Sequence, residues 1–233
     1  MSYRIEIVAI DSLMLRFFEH IDEQNMPWIS AATAALRQVF AQTLVDIVPS
    51  YTTVLLQYDL NVLSDQQARQ LIHHALENLD ISQATQGKTH ELATWYDLSV
   101  GPELTLIAQR SGLTISQVIE LHSQRTYQVF ALGFAPGFAF MGLVDPKLAT
   151  PRLATPRKKV PACSLGIADQ QTAVYPLPSP GGWNLIGRMP IPLFDYEQGS
   201  SLLQPGDKVR FIPVEKAEFI RLGGDDSAFE VSP

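Results

Sequence analysis

Across the first third of the chain, apolar positions follow the two periods of regular secondary structure. Tyr3–Ile10 and Leu13–Phe18 alternate or run apolar over strand length, which predicts two strands. Ile29, Ala32, Leu36, Val39 and Phe40 then recur at three-and-four spacing, the stripe of an amphipathic helix over Ile29–Thr43. Val45–Pro49 and Thr52–Tyr58 are rich in Val, Leu and Tyr and predict a hairpin turning at Pro49-Ser50. Ser64 is placed to cap a second helix whose stripe is Ala68, Leu71, Ile72, Ala75, Leu76 and Leu79. The order βαββα suggests an α+β fold, a ferredoxin-like half-sandwich with helices on one face of an antiparallel sheet.

The polar segment Asp80–Lys88 marks a boundary, giving an expected first domain of residues 1–88. Beyond it, His90–Tyr96 reads as a strand, Pro102–Ser111 and Thr114–Gln124 as short helices, and Tyr127–Phe134 as a strand. Thr114-x-x-Gln117 matches a capping box. Most of the prolines and glycines lie between Gly133 and Gly206, separating the short apolar pieces Cys163–Ala168, Thr172–Tyr175, Trp183–Ile186 and Lys208–Val214. Such punctuation predicts a closed or folded-over all-β unit over residues 89–215. Residues 216–233, charged and glycine-containing, are expected as a flexible tail.

Composition narrows the classes. With 46% hydrophobic and 18% charged residues in 233, a sizeable core can be buried and wholesale disorder is excluded. A net charge of −7 disfavours nucleic acid, whose phosphates need clustered cations. The local exception is Arg152, Arg157, Lys158 and Lys159. A lone cysteine, Cys163, requires no oxidising compartment. Without a signal-like N-terminus or an apolar run of membrane length, a cytoplasmic location is expected.

Several tempting motifs have plain readings. Gly87-Lys88-Thr89 ends like a phosphate-binding loop, but Ser82 stands where that loop needs glycine, and the triplet leads into a strand. His122 lies on the apolar face of its helix, the usual place of a hydrogen-bonded core histidine. Glu120, two residues before it, faces elsewhere. His73 and His74 fall off their helix's stripe and read as solvated, and no metal-ligand spacing occurs. Cys163 has no visible activating partner and reads as an inert thiol.

The Gly/Pro-rich region carries more. Gly133 to Gly142 interleaves glycines with aromatics, which brings backbone close to a ligand while rings exclude water, or builds a tight self-packed connection. Thr150-Pro151-Arg152 and Thr155-Pro156-Arg157 hold two guanidinium groups on stiffened backbone. Such a pair suits a carboxylate or phosphate, or equally a salt-bridge patch between subunits. Tyr175-Pro176 and Ser179-Pro180-Gly181-Gly182-Trp183 build a second stiff loop beside a large aromatic.

Together these pieces resemble the family of 5-oxoprolinase B subunits, which includes the Kip-type histidine kinase inhibitors and is similar to half of a urea carboxylase carboxyltransferase region. The resemblance spans about Gly101 to Pro213. It is carried by Gly101-Pro102-Glu103-Leu104, Leu121-His122, Gly133-Phe134-x-Pro136-Gly137-Phe138, the paired Pro-Arg steps and Val160-Pro161-Ala162-x-Ser164. Further matches are Tyr175-Pro176, Ser179-Pro180-Gly181-Gly182-Trp183, Ile186-Gly187-Arg188 and Gln204-Pro205-Gly206-Asp207. Cys163 and Met189 depart from it, standing where glycine and threonine are usual.

The resemblance implies a ferredoxin-like domain followed by a cyclophilin-like β-barrel. It implies a non-autonomous component of an ATP-dependent 5-oxoprolinase that converts 5-oxo-L-proline to L-glutamate. The implied partners are two other components of that complex, a homologous C subunit and an A subunit. No cofactor is expected on this chain, and ATP is expected on another component. A kinase inhibitor, or one half of a biotin-dependent carboxyltransferase, is the alternative. The expected catalytic residues are His122, Arg152 and Arg157. The expected substrate-binding residues are Phe134, Pro136, Gly137, Phe138, Tyr175, Ser179, Gly181, Gly182 and Trp183.

Overall fold

The computed structural model describes residues 2–77, 79–81 and 87–227, so Ser82 and the rest of segment 82–86 lie outside the described residues. The chain divides into two compact units, Met1–Gly87 and Lys88–Pro233.

The N-terminal unit follows the apolar pattern closely. Strands β1 (Arg4–Ala9) and β2 (Ser12–Arg16) precede helix α1 (Met26–Phe40), then β3 (Leu44–Pro49), β4 (Thr53–Tyr58) and helix α2 (Asp65–Glu77). The order is therefore ββαββα, because β1 and β2 form a hairpin of their own, and the expected βαββα run begins at β2. All four strands pair antiparallel in the order β1-β2-β4-β3. Leu13 and Leu15 lie opposite Leu56 and Val54, and all four are buried. The α1 stripe of Ile29, Ala32, Leu36 and Phe40 and the α2 stripe of Ala68, Ile72 and Leu76 are buried too, with α1 packed on α2, β3 and β4. Pro27 occupies the first turn of α1, where its missing N–H costs nothing. The Ser64 hydroxyl accepts from Gln67 N–H while the Gln67 amide oxygen accepts from Ser64 N–H, a reciprocal cap on α2.

The C-terminal unit is organised by one seven-stranded sheet. Its elements are β5 (Thr89–Thr94), helices α3 (Leu104–Ser111) and α4 (Ile115–Ser123), β6 (Thr126–Leu132), β7 (Ala139–Gly142), β8 (Arg157–Val160), β9 (Ser164–Ala168) and β10 (Gln171–Val174). They continue with β11 (Ser179–Gly181), β12 (Asn184–Arg188), the short pair β13 (Phe194–Asp195) and β14 (Ser200–Ser201), β15 (Lys208–Pro213) and helix α5 (Lys216–Arg221). The sheet order is β12-β9-β10-β7-β6-β15-β5. Trp95, just past β5, exchanges two 2.9 Å backbone hydrogen bonds with Arg188 at the end of β12, so the two edges meet in a nearly closed, barrel-like sheet. Gly187 permits that seam, since a Cβ there would stand 2.8 Å from the Trp95 carbonyl oxygen.

Strands β9 and β12 are buried along their whole length, because both faces of the sheet are covered. Alternate residues divide between two clusters. Leu165, Ile167, Val174 and Ile186 join α3 and α4 residues such as Ile107 and Val118. Ala168, Ala173, Tyr175 and Leu185 join Phe138, Trp183 and Val160 of β8 on the opposite face. The predicted capping box of α4 is present at Thr114 and Gln117.

Part of the segment expected as a flexible tail carries helix α5. Lys216–Arg221 is helical because Phe219 is fully buried against Trp95, ring centroids 5.2 Å apart. The Arg188 guanidinium donates to the Asp225 carbonyl at 2.8 Å and to its carboxylate at 3.1 Å, tying down the following segment. Residues 228–233 lie outside the described residues.

Candidate functional site

The β6–β7 connection and the loop before β12 converge on a cavity of about 180 Å³ on the Trp183 face of the sheet. Phe134, Phe138, Phe140 and Tyr175 form its aromatic walls. Pro180, Gly181, Gly182, Trp183 and Arg152 complete it. Phe138 stands nearly perpendicular to both Tyr175 and Trp183, at 5.4 and 5.7 Å, the edge-to-face geometry that aromatic quadrupoles favour. Phe134 adopts φ 70 and remains 67% exposed at the mouth. The turn that places it there is closed by Gly133 N–H donating to Phe138 O at 3.1 Å and Phe138 N–H donating to Ala135 O at 3.0 Å. A non-glycine residue in the left-handed region is held by its surroundings, here so that an aromatic ring faces outward.

Among the described residues, Arg152 is the one guanidinium lining this cavity, and its placement is built from the backbone. Leu153 N–H donates to Gly182 O at 2.7 Å, and the Asn184 side-chain amide donates to Pro151 O at 2.9 Å. Residues 151 and 153 are thus tied to 184 and 182, which puts 152 opposite 183. The Arg152 guanidinium lies 5.8 Å from the Trp183 ring centroid, within cation–π range.

Arg157 meets the same tryptophan through its backbone. It donates from Nη1 to Trp183 O at 3.4 Å and pairs through Nη2 with the carboxylate of Glu103. The second Glu103 oxygen accepts from Leu185 N–H at 2.8 Å, and Glu103 N–H donates to Leu185 O at 3.1 Å. Arg157 and Glu103 are both largely buried, with 15% and 11% of their side chains exposed. Of the two arginines expected to share an anion pocket, Arg152 lines the cavity and Arg157 does not. Arg152 lies over the Trp183 ring, whereas Arg157 contacts its backbone and pairs with a carboxylate of the chain itself. Glu103 and Asn184, absent from the expected site, are what organise it. The signals were a carboxylate inside the Gly101-Pro102-Glu103-Leu104 motif and a polar residue in the apolar piece Trp183–Ile186.

Comparison with known proteins identifies the family of the chain. A family model described as carboxyltransferase domain, subdomain C and D, matches residues 3–203. Over 228 residues the chain is 32% identical to the B subunit of 5-oxoprolinase from Bacillus subtilis (strain 168), covering 93% of this chain and 95% of that protein. This chain belongs to the family of 5-oxoprolinase B subunits. The crystal structure of TTHA0988 superposes with a TM-score of 0.77 at 38% identity, covering 88% of this chain and 40% of that longer one. The urea carboxylase of Kluyveromyces lactis shares the fold alone, with a TM-score of 0.73 at 15% identity over 96% of this chain and 23% of that one.

Within this carboxyltransferase-type fold, the remaining expected residues fall in several places. Gly181 and Gly182 line the cavity, whereas Pro136, Gly137 and Ser179 do not. Gly137 adopts φ 80 and packs on Phe194, supporting the turn from behind. Ser179 lies in β11, which pairs with β8.

His122 is separated from the cavity by the sheet itself. Its Nε2 lies 3.0 Å from the Thr172 hydroxyl, and Thr172 and Tyr175 stand on opposite faces of the β10 strand and its extension. The Thr172 hydroxyl donates its single hydrogen to Gly166 O at 3.1 Å, so it accepts from His122 Nε2–H. Nδ1 is then the acceptor for the Tyr96 hydroxyl at 2.8 Å. The ring is fully buried beside Tyr127 and Phe211, and burial pushes its pKa from 6.5 down to about 3. A neutral imidazole with both nitrogens engaged in a closed core does not move protons to a ligand across the sheet. His122, expected as a catalytic residue, thus lies in the core on the side of the sheet away from the cavity.

The same burial raises the Tyr96 and Tyr127 hydroxyl pKa values and, on the pocket face, that of Tyr175, against the opposing pull of the Trp183 backbone and the two arginines. Cys163, where the family resemblance expects glycine, does adopt a left-handed φ of 63, and burial raises its thiol pKa. Lys88 N–H donates to Asp207 Oδ1 and Thr89 opens β5, so the phosphate-loop-like triplet leads into a strand. Among the described residues no helix is long and apolar enough to cross a membrane, and no group of three acidic, histidine or cysteine side chains could hold a metal.

Proposed function

We propose that this chain is the B component of an ATP-dependent 5-oxoprolinase and that the Trp183 cavity receives 5-oxo-L-proline. Arg152 on the face of Trp183 carries the reading. The substrate is a small lactam bearing one carboxylate and an apolar ring edge. An arginine offers that carboxylate two parallel donors, and the aromatic walls suit the ring methylenes. The 32% identity with the B subunit of a 5-oxoprolinase, over nearly the whole of both chains, supports the same activity.

A lactam is a poor electrophile, which makes coupling to ATP chemically reasonable. Transfer of the γ-phosphoryl group to the lactam oxygen releases ADP. One water then opens the ring to an acyl phosphate, and a second releases phosphate and leaves glutamate. In this reading the phosphate-binding machinery belongs to the separate A component. The homologous C component completes the open side of the cavity, and the complex is cytoplasmic. The βαββα run and the barrel-like sheet support the ferredoxin-like and cyclophilin-like assignments of the two units.

The test is reconstitution with candidate A and C components, measuring glutamate and phosphate formed from 5-oxoproline with and without ATP. Arg152→Ala is expected to lower activity by about 100-fold or more, the scale of a lost charged ligand contact, while the chain still folds and co-purifies. Full activity in that variant would remove the cavity as the substrate site.

A further inference from the structure

Three groups outside the cavity walls bear on it or invite another role. The His90–Asp207 pair, 3.0 Å apart, is accounted for by the β5–β15 seam, where the same carboxylate also accepts from Lys88 and Gln204 N–H. In the groove lined by Tyr3, His73 and Glu77, the Tyr3 hydroxyl and His73 Nδ1 are engaged with each other at 2.6 Å. Asn184 has no such bland explanation.

Asn184 is fully buried, and its backbone lies in register with Ile167 of β9. Its two amide hydrogens go to Ile167 O at 3.1 Å and Pro151 O at 2.9 Å. Its Oδ1 is buried and finds no hydrogen-bond partner among the described residues. A core-facing position of this strand would ordinarily hold an apolar side chain, and an unpaired buried acceptor is disfavoured. What the residue gains is a side-chain donor at a point where the strand's own backbone is turned toward β9. That donor extends the pairing one segment further, onto residues 151–153. Two other ties bracket the segment, Leu153 N–H to Gly182 O and the reciprocal backbone bonds of Thr150 with Asp169, and neither engages the Pro151 carbonyl that sets the peptide before Arg152.

We infer that Asn184 is a positioning residue that sets Arg152 over the face of Trp183 by holding the Pro151 carbonyl. This rests on the cavity being the substrate site only for its consequence in the reaction. The juxtaposition itself can be tested without substrate. A guanidinium above an indole face carries an upfield ring-current shift on its Nε–H proton. That resonance is assigned in the full chain by its loss in Arg152→Lys.

In Asn184→Ala the shift is expected to collapse toward the value of a solvated arginine, with the methyl spectrum of the core retained. Asn184→Ser, smaller and still polar, is made in parallel. In the reconstituted complex either variant is expected to raise the KM for 5-oxoproline about tenfold with kcat changed less than about twofold, the pattern of lost uniform binding. Retention of the ring-current shift in folded Asn184→Ala overturns the inference whatever the enzyme does. Failure of both variants to fold overturns it too, because the residue is then part of the fold and not a device for the arginine. Loss of the shift with an unchanged KM, or full activity in Arg152→Ala, instead strikes at the substrate site and leaves the positioning role standing.

Discussion

In the N-terminal unit the side chains that go inside are Leu13, Leu15, Leu36, Leu56 and Ile72, and the buried polar residues are the uncharged Ser12, Asn25 and Thr33. In the C-terminal unit Glu103, His122, Arg188 and Asp207 go inside as well. Of the four non-glycine residues with positive φ among those described, Phe134, Cys163 and Asp169 belong to the C-terminal unit and Ala41 to the other. One unit is specified by where its apolar residues recur. The other adds named polar pairs that pin its backbone in place, and one of them, Glu103 with Arg157, reaches the backbone of Trp183 at the cavity. Polar groups inside a core are costly unless fully partnered, and what they give in return is a defined position for whatever they hold.

The sharpest test of this contrast is pH. His122 titrates near 6.5 when unfolded and at about 3 when folded. Between those values the unfolded chain binds a proton that the folded chain refuses, so stability falls as the pH drops through that window and is fully present above it. At about pH 4 the loss is roughly 3 kcal/mol, from about 1.4 kcal/mol per pKa unit. Urea unfolding at neutral pH and at about pH 4 should show this slope in the wild type and lack it in His122→Gln. An equal slope in both would mean that the buried imidazole does not set the acid sensitivity of its unit.

The next comparison sets an internal ion pair against a surface one. Glu103→Ala removes the carboxylate that pairs with Arg157 in a largely closed site, for which a loss of about 3 kcal/mol is expected. Glu6→Ala breaks the Arg16–Glu6 pair on the N-terminal sheet, where 33% and 47% of the two side chains are exposed, and should leave the melting temperature unchanged. Replacing Glu103 and Arg157 together by methionine should recover much of the loss, since removing one member of a buried ion pair costs more than replacing both. If Glu103→Ala is as mild as Glu6→Ala, the pair is not a brace, and Trp183 must be held by its ring contacts alone.

How much of this was readable beforehand follows the same division. Leu36, Ile72 and their neighbours announced α1 and α2 through spacing alone, and Thr114 and Gln117 announced their own cap. The β1–β2 hairpin was harder to see, because two apolar runs joined through Ile10 and Asp11 do not declare that they pair with each other. The interleaved glycines, prolines and aromatics lie in the loops that form the cavity, where Arg152, Phe138 and Trp183 meet. The roles of Arg157 and His122 were not readable, since each depends on a partner distant in sequence. Glu103 precedes Arg157 by 54 residues, and Thr172 follows His122 by 50. Helical spacing did favour a core histidine, and the burial of His122 accords with that simpler reading over the catalytic one.

The smallest expected effect concerns Cys163. Its N–H donates to Tyr175 O at 2.7 Å and its carbonyl accepts from Met189 N–H at 2.8 Å, so the residue cannot relax out of its left-handed conformation without losing both. A side chain in that region costs about 1 kcal/mol relative to glycine. Against this stand the contacts of a half-buried thiol packed on the α3–α4 side of the core and the extra freedom glycine gives the unfolded chain. The two nearly cancel, leaving Cys163→Gly more stable than wild type by about 0.5 kcal/mol. Cys163→Ala keeps the strain and loses the sulfur, so it should fall below wild type. The ordering of glycine above alanine, read from chemical denaturation, is the decisive result. It would mean that backbone conformation, and not packing, is what this position chiefly feels. Alanine above glycine would mean that the hydrogen bonds to Tyr175 and Met189 hold the turn at no strain, and that the C-terminal unit is less constrained by its loops than its buried pairs suggest.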